Sequence, residues 1–333
     1  MAIDRYPAFW DRNGVSAAML SPLEWVFRRA VARRRARADA VAQWIDAPVV
    51  VVGNASVGGT GKTPLVLWLV EAAMALGFRP GIVLRGHRSS ARGVVPVTAD
   101  SDPTMVGDEA VLLARRTFRP VVIGADRVAA GRMLLETAAV DLVISDDGLQ
   151  HYPLGRDVEI AVVDADRGHG NGRCLPAGPL REPLDRLNEV DLVLGNGRRM
   201  TEDGGMFEIV PGSLQALASS GGVGEPPAPG QAVHAVAGIG HPERFFATLS
   251  AMGFVIHAHP LGDHHHFRPE DLRFDDGAPV IVTEKDAVKC RALAPVNSWY
   301  LPVEARPDEA TARRLKDLLE LAQARSKNRE AGS

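Results

Sequence analysis

The sequence predicts an α/β protein: a doubly wound, mostly parallel sheet of the P-loop NTPase type, followed by a second, smaller α/β domain. Three observations carry this. Residues 49–64 read VVVVGNASVGGTGKTP, four valines running into a glycine-rich turn that ends in Gly61-Lys62-Thr63. Short apolar runs then alternate with helical segments, and near residue 218 the composition switches to glycine, serine and proline before the alternation resumes.

Each element has its own justification. In residues 1–45, Phe9, Trp10, Met19, Leu20, Leu23, Trp25, Val26, Phe27 and Val31 precede or interleave with Arg28, Arg29, Arg33, Arg34, Arg35 and Arg37, and Ser21-Pro22 reads as a helix start. Such a segment suits an interfacial anchor, which needs apolar burial plus attraction to anionic lipid, and equally an amphipathic helix packed on its own domain. The core domain, 46–217, opens with the valine run, a strand buried on both faces. A helix follows the loop from Pro64, and strands are expected at 81–85, 120–124, 140–145, 158–164 and 190–195, with a helix at 108–118. Residues 218–230 offer almost nothing to bury and read as a connection. The smaller domain, 231–326, is expected to hold strands at 233–237, 255–258 and 279–283, a helix at 242–252 and a last helix at 307–326, leaving 327–333 as a frayed polar tail.

Composition sets the outer limits. A chain of 333 residues with 46% hydrophobic residues suits two domains with sizeable cores. Cys174 and Cys290 are too few and too far apart for a disulfide framework or a zinc site, which fits a reducing cytosolic setting. A net charge of −3 argues against a globally basic nucleic-acid binder. No stretch approaches the roughly 18 apolar residues of a membrane span, and the N-terminus lacks a signal core.

The chemistry concentrates in a few constellations. In the loop Ser56-Val57-Gly58-Gly59-Thr60-Gly61-Lys62-Thr63, backbone N–H groups of small residues suit phosphate, Lys62 suits the β/γ oxygens of ATP or GTP, and the Thr63 hydroxyl suits Mg2+. The strict pattern has glycine where Ser56 stands. Asp146-Asp147 end an apolar strand, where a P-loop protein keeps acid near the metal, although paired acids there also make turns. Asp108-Glu109 reads as a helix cap with a first-turn acid, or as a proton acceptor for an attacking hydroxyl. Asp263-His264-His265-His266 is either a solvated loop or a carboxylate–imidazole pair able to take a proton near neutral pH. Arg181-Glu182 lies between prolines. Thr283-Glu284-Lys285-Asp286 and Asp126-Arg127 follow apolar strands, and Arg127 has the charge to stabilise a transferring phosphoryl group.

Taken together, ASVGGTGKTP, GDEA, ADR, DDGLQH, PAGPLREP, NG, AGIGHPERFF, DHHHF and TEKDAVKC occur in an order that closely resembles the tetraacyldisaccharide 4′-kinase (lipid A 4′-kinase) family over roughly residues 5–325. The resemblance implies transfer of the ATP γ-phosphate to the 4′-hydroxyl of a tetraacyldisaccharide 1-phosphate at the cytoplasmic face of the bacterial inner membrane. It favours an anionic membrane surface as partner of the N-terminal helix; no nucleic-acid partner and a monomeric state are expected alongside it. It selects Asp108 and His264, acting together on the acceptor hydroxyl. It places residues 56–63 around the triphosphate, Thr63, Glu109, Asp146 and Asp147 around Mg2+, and Arg127, Gln150, His151, Arg181 and Glu182 along the nucleotide and acceptor cleft. Ala110, the Arg85-Gly86-His87-Arg88 turn and His241 depart from the family pattern; none removes a group assigned to chemistry.

Two rivals remain at this level. A membrane-associated regulatory ATPase of the deviant P-loop type would account for VGGTGKT, but its signature lysine is replaced by Val57, and it leaves DHHHF and TEKDAVK unexplained. A P-loop kinase of small molecules, without membrane contact, would leave Trp10, Trp25 and the arginines as ordinary core and surface.

Overall fold

The N-terminal helices α1 (Val15–Met19), α2 (Ser21–Arg35) and α3 (Ala38–Val41) lead into the valine strand β1 (Val49–Gly53) in the computed structural model, which describes residues 6–86, 89–217 and 225–331. His87 and Arg88 lie outside the described residues, as does most of the expected connection, 218–224. The chain forms two compact units. The larger runs to Ile209 and resumes at Ala305, and the smaller spans Val210–Glu304.

The larger unit continues with α4 (Lys62–Ala75), β2 (Pro80–Leu84), β3 (Val95–Val97), α5 (Pro103–Val106), α6 (Asp108–Thr117), β4 (Val121–Ile123), α7 (Arg127–Thr137), β5 (Leu142–Asp146), β6 (Val158–Asp164), β7 (Leu192–Asn196) and β8 (Gly205–Pro211). In the smaller unit follow β9 (Gln215–Ala216), β10 (Ala232–Ala237), α8 (Pro242–Ala251), β11 (Val255–Pro260), β12 (Val280–Thr283), α9 (Glu284–Cys290) and β13 (Ser298–Leu301), then β14 (Val303–Pro307) and α10 (Glu309–Ala331).

Among the described residues, nine strands make the larger sheet in the order β14-β8-β7-β6-β1-β5-β2-β4-β3. β1 pairs in parallel with both β5 and β6, so the valines are covered on both faces and all four are fully buried, as their uninterrupted run requires. β2 to β5 all lie on one side of β1 and β6 to β8 on the other, which makes the C-terminal end of β1 a switch point, where open α/β sheets build their sites. α4 is apolar nearly all round because it is the inner helix: Leu65, Val66, Leu69 and Val70 are buried to the last atom. The antiparallel edge strand β3 and helix α7 were not expected from the sequence; β3 is three residues long with proline at its centre, too short to show a period.

The smaller unit holds a five-stranded sheet, β11-β10-β12-β13-β9, parallel except for β9. The sequence reading assigns the last helix to this unit and ends it at 326. The structure differs on both points. α10 belongs to the larger unit, where it packs on α4, β1 and β6 with Leu315, Leu318, Leu319 and Ala322 buried. Its polar last turns are tied down rather than frayed: Arg325 pairs with Asp191 at 2.8 Å, and Arg329 pairs with the buried Asp157.

α2 is held on the larger unit by few residues. Glu24 is buried and accepts from the Cys174 N–H (2.9 Å) and Arg173 (3.0 Å), Val31 is buried, and Arg35 pairs with Asp185 at 3.0 Å. Leu23, Trp25 and Val26 face outward at 57–58% exposure, with Met19 at 76% beside them.

Candidate active site

The glycine-rich loop leaves the C-terminal end of β1 and opens directly into α4, whose first helical residue is Lys62. Gly61 precedes it with φ 88°, and a β-carbon there would meet Asn196 Nδ2 at 2.8 Å, so the position needs glycine. The first-turn N–H groups of a helix have no partner inside it, which makes this junction a seat for anionic phosphate. The loop is braced from several sides: Asn54 Nδ2 donates to the Gly58 carbonyl (3.3 Å), the Val57 N–H to Pro179 (2.9 Å), Asn196 Nδ2 to Thr60 (3.3 Å) and the Arg181 N–H to Ala55 (2.7 Å). The segment Pro176–Pro183, whose Arg181 and Glu182 the family resemblance sets along the cleft, forms the outer wall of the loop.

The paired aspartates end up in different surroundings. Asp147 follows β5 in the left-handed region (φ 49°), a conformation that side-chain-bearing residues adopt mainly where the surrounding structure enforces it. Its carboxylate accepts from Arg181 Nη1 at 3.0 and 3.1 Å and stands 3.5 Å from Lys62 Nζ, while its carbonyl accepts from Arg127 Nη2 at 2.7 Å. Burial opposes its ionisation, yet Lys62 and Arg181 hold the carboxyl well below the usual carboxylate range. Asp146 is buried, and its Oδ1 has no hydrogen-bond partner. Burial, reinforced by Glu109 and opposed by Lys62, pushes its carboxyl up to about 7. A buried acid oxygen without a partner, facing a second acid, suits a cation.

Asp108 is the first residue of α6, not its N-cap, which is Gly107; its Oδ1 accepts from the Glu109 N–H at 3.0 Å. Arg127 opens α7 behind the Asp126 cap; burial pushes it down to about 10, with Arg85 adding and Asp147 opposing, so it keeps its charge at neutral pH. Gln150 Nε2 donates to the Asn54 carbonyl and to Glu182 Oε2, both at 3.1 Å, and Tyr152 donates to the other Glu182 oxygen. The carboxylate of Glu182 is thus fully enclosed and serves as a brace between loop and wall. His151 is half-buried.

In the smaller unit, His264 has φ 60°, and its Nε2 stands 3.7 Å from Asp263 Oδ2. The His264 N–H donates to the Gly238 carbonyl (3.1 Å), and the Gly238 N–H donates to Asp286 Oδ2 (2.8 Å), which also accepts from the Thr283 hydroxyl (2.7 Å). Thr283 caps α9, so TEKD is a capped helix start with a buried acid that seats the DHHHF loop. Asp108 lies in the larger unit and His264 in the smaller one.

This constellation has counterparts among known proteins. The sequence matches the family described as Tetraacyldisaccharide-1-P 4′-kinase (LpxK) over residues 16–320. The chain belongs to this family. It is 54% identical over 318 residues to the tetraacyldisaccharide 4′-kinase of Alkalilimnicola ehrlichii, covering 93% of this chain and 95% of that one. It is 48% identical over 317 residues to the tetraacyldisaccharide 4′-kinase of Azotobacter vinelandii, again covering 93% and 95%. It also superposes on the crystal structure of LpxK from Aquifex aeolicus in complex with ATP, with a TM-score of 0.78 at 25% identity, covering 92% of this chain and 99% of that one. The protein is therefore an enzyme, a lipid A 4′-kinase that transfers phosphate to an alcohol.

For this 4′-kinase, several residues of the site escaped the sequence reading. Asn54 braces the loop from four residues away, within the quoted motif run, whereas Tyr152 and Asn196 act on the P-loop or its wall across long sequence separations. Of the distant two only Asn196 carried a signal, as the NG pair closing a strand.

Proposed function

We propose that this chain binds MgATP at residues 56–63 and transfers its γ-phosphate to the 4′-hydroxyl of a tetraacyldisaccharide 1-phosphate at an anionic membrane surface. One observation carries the reading of the site: a glycine loop feeding α4 at the switch point of the sheet, with a buried, unpartnered Asp146 oxygen facing Glu109 and Lys62.

The residues fit a magnesium ion. Among the described residues no group of three or more His, Cys, Asp or Glu is arranged to hold a metal by itself, and Mg2+ does not ask for one: it takes one or two carboxylates plus phosphate oxygens and water. Asp146, with Thr63 and Glu109, would hold it; Asp147, engaged by Arg181 and Lys62, stands next to it. When bound, the ion neutralises charge on the β- and γ-phosphate oxygens.

The chain's own groups do the rest. Lys62 moves from Asp147 to the phosphates, and Arg127 and Arg181 supply fixed positive charge against the charge of the transferring group. Asp108, held by the Glu109 N–H, takes the proton of the attacking hydroxyl. We assign the Asp263–His264 pair to the same proton transfer, so the effects of replacing Asp108 and His264 should not add.

The supporting test measures transfer of labelled γ-phosphate from ATP to detergent-dispersed disaccharide 1-phosphate. Wild type is expected to yield labelled bis-phosphorylated lipid, and Lys62→Ala and Asp108→Ala each to slow it about a hundredfold or more. Near-normal activity in either variant removes that residue from the mechanism, and ATP turnover without labelled lipid removes the acceptor.

A further inference from the structure

Arg167 was not among the residues the sequence singled out, and nothing in the reaction as described uses it. It sits on the turn Asp164–Gly168, directly after β6, and β6 lies beside β1 in the sheet, parallel to it. The ends of the two strands therefore face the same edge, so the Arg167 turn and the P-loop are neighbours. The turn is built to hold its shape: Asp164 Oδ1 accepts from the N–H groups of Asp166 (3.2 Å) and Arg167 (3.4 Å), the Gly168 N–H donates to the Asp164 carbonyl (2.8 Å), and Arg198 donates to the Ala165 carbonyl (2.9 Å).

The guanidinium is carried onto the crest of the P-loop. Gly58 has φ 104°, and a β-carbon placed on it would come within 2.6 Å of Arg167 Nη1, with Cζ and Nη2 at 3.7 and 3.8 Å. The glycine thus serves two purposes: it permits the left-handed turn, and it leaves room for the Nη1 end of the guanidinium against the loop. A second contact fixes the approach. Arg167 Cζ lies 5.0 Å from the centroid of the Tyr6 ring, and Tyr6 packs edge-on against the buried Trp10 at 5.3 Å. That N-terminal segment is itself bonded to the wall of the loop, through Trp10 Nε1 to the Pro176 carbonyl (3.0 Å) and the Asn171 N–H to the Trp10 carbonyl (2.6 Å).

We propose that Arg167 is a phosphate-contacting residue of the kinase, a second cation besides Lys62 that binds the ATP triphosphate from above Gly58, with Tyr6 as its positioning residue. A guanidinium offers several N–H donors in one plane and suits the forked oxygens of a polyphosphate, where an ammonium acts as a point charge. The inference rests on the reading that residues 56–63 hold the triphosphate. It also gives the segment preceding the membrane-facing helices a route to the nucleotide, because Tyr6 and Trp10 touch the Arg167 turn and the loop wall.

The test is equilibrium binding of a fluorescent ATP analogue with Mg2+ to the full-length protein in detergent, together with KM values for ATP and for the lipid acceptor. Arg167→Ala is expected to weaken nucleotide binding tenfold or more and to raise KM for ATP in parallel, leaving KM for the acceptor within twofold. Arg167→Lys should weaken nucleotide binding more than twofold but less than Arg167→Ala, and Tyr6→Leu should weaken it severalfold. Thermal unfolding without nucleotide checks that each variant is folded, and Arg167→Lys, which keeps the charge and the stem, carries the test if the alanine variant is not. Nucleotide affinity within twofold of wild type in folded Arg167→Ala or Arg167→Lys overturns the proposal. Lys62→Ala separates the two readings: if it loses affinity while Arg167→Ala does not, Arg167 alone is excluded, and if neither loses affinity the triphosphate is not held at this loop.

Discussion

Asp146 and Asp147 are joined by one peptide bond and differ in almost every physical respect: one is an enclosed acid lacking a partner on Oδ1, the other an ion paired with Arg181 beside Lys62. Their sequence, two aspartates after an apolar strand, is symmetric. What separates them is the alternation of side chains at the end of β5, which turns Asp146 inwards, and the left-handed backbone at Asp147, which turns the next side chain towards the cations. His151 is decided in the same way by neighbours distant in sequence. Burial, then the charges of Arg127 and Arg156, push its imidazole from 6.5 down to about 4. Between those values the unfolded chain binds a proton that the folded chain refuses, so the contribution is complete above about 6.5 and stability is lost as pH falls towards 4. His151→Gln should therefore show a smaller drop in Tm between pH 7 and pH 5 than wild type; an equal drop would show that His151 does not report this burial.

At the scale of elements, the N-terminal helix shows where a pattern stops being informative. Its apolar and basic residues are the same whether the helix is an anchor or part of a core, so the sequence leaves both readings open. The structure shows which residues the protein covers: Glu24 and Val31 are buried, whereas Leu23, Trp25 and Val26 stay outside, joined by Val15 and Met19. Exposed arginines follow on the same helix, and Arg29 lies over the Trp25 ring at 4.4 Å. No described helix is long and apolar enough to cross a membrane. Deleting residues 1–37 should abolish sedimentation with vesicles containing anionic lipid, and Trp25→Asp together with Leu23→Asp should weaken it about tenfold or more, since each exposed apolar side chain contributes on the order of 1–3 kcal/mol when buried in lipid. Unchanged sedimentation of the deletion would place the anchor elsewhere. The TEKD segment is read from the sequence as charges at a strand end where α/β sheets build their sites; in the structure Thr283 caps α9 and Asp286 is fully buried under the DHHHF loop. Nothing local to that tetrapeptide reveals a partner, Gly238, that lies almost fifty residues earlier.

For the whole molecule, the consequential difference concerns α10. Its leucines repeat at helical spacing, so its existence was legible, but an amphipathic helix does not say which core it closes. It closes the larger one. Leu315 is buried to the last atom, so Leu315→Ala should destabilise the protein by about 3 kcal/mol and lower the nucleotide-protected unfolding transition, the one that P-loop ligands shift. Were α10 part of the smaller unit alone, that transition would keep its midpoint.

The sequence by itself determined the P-loop strand and helix, the order of the parallel strands' apolar runs, the separate smaller α/β unit and the family, because each rests on short-range order: valines in a row, glycines at fixed offsets, motifs in fixed succession. Only the tertiary structure decided which aspartate is enclosed, how Glu182 and Pro179 brace the loop, where Arg167 meets Gly58 and which unit receives α10. Those outcomes depend on contacts between residues many tens of positions apart, and on the burial and charge that such contacts create, neither of which has a local signature in the chain.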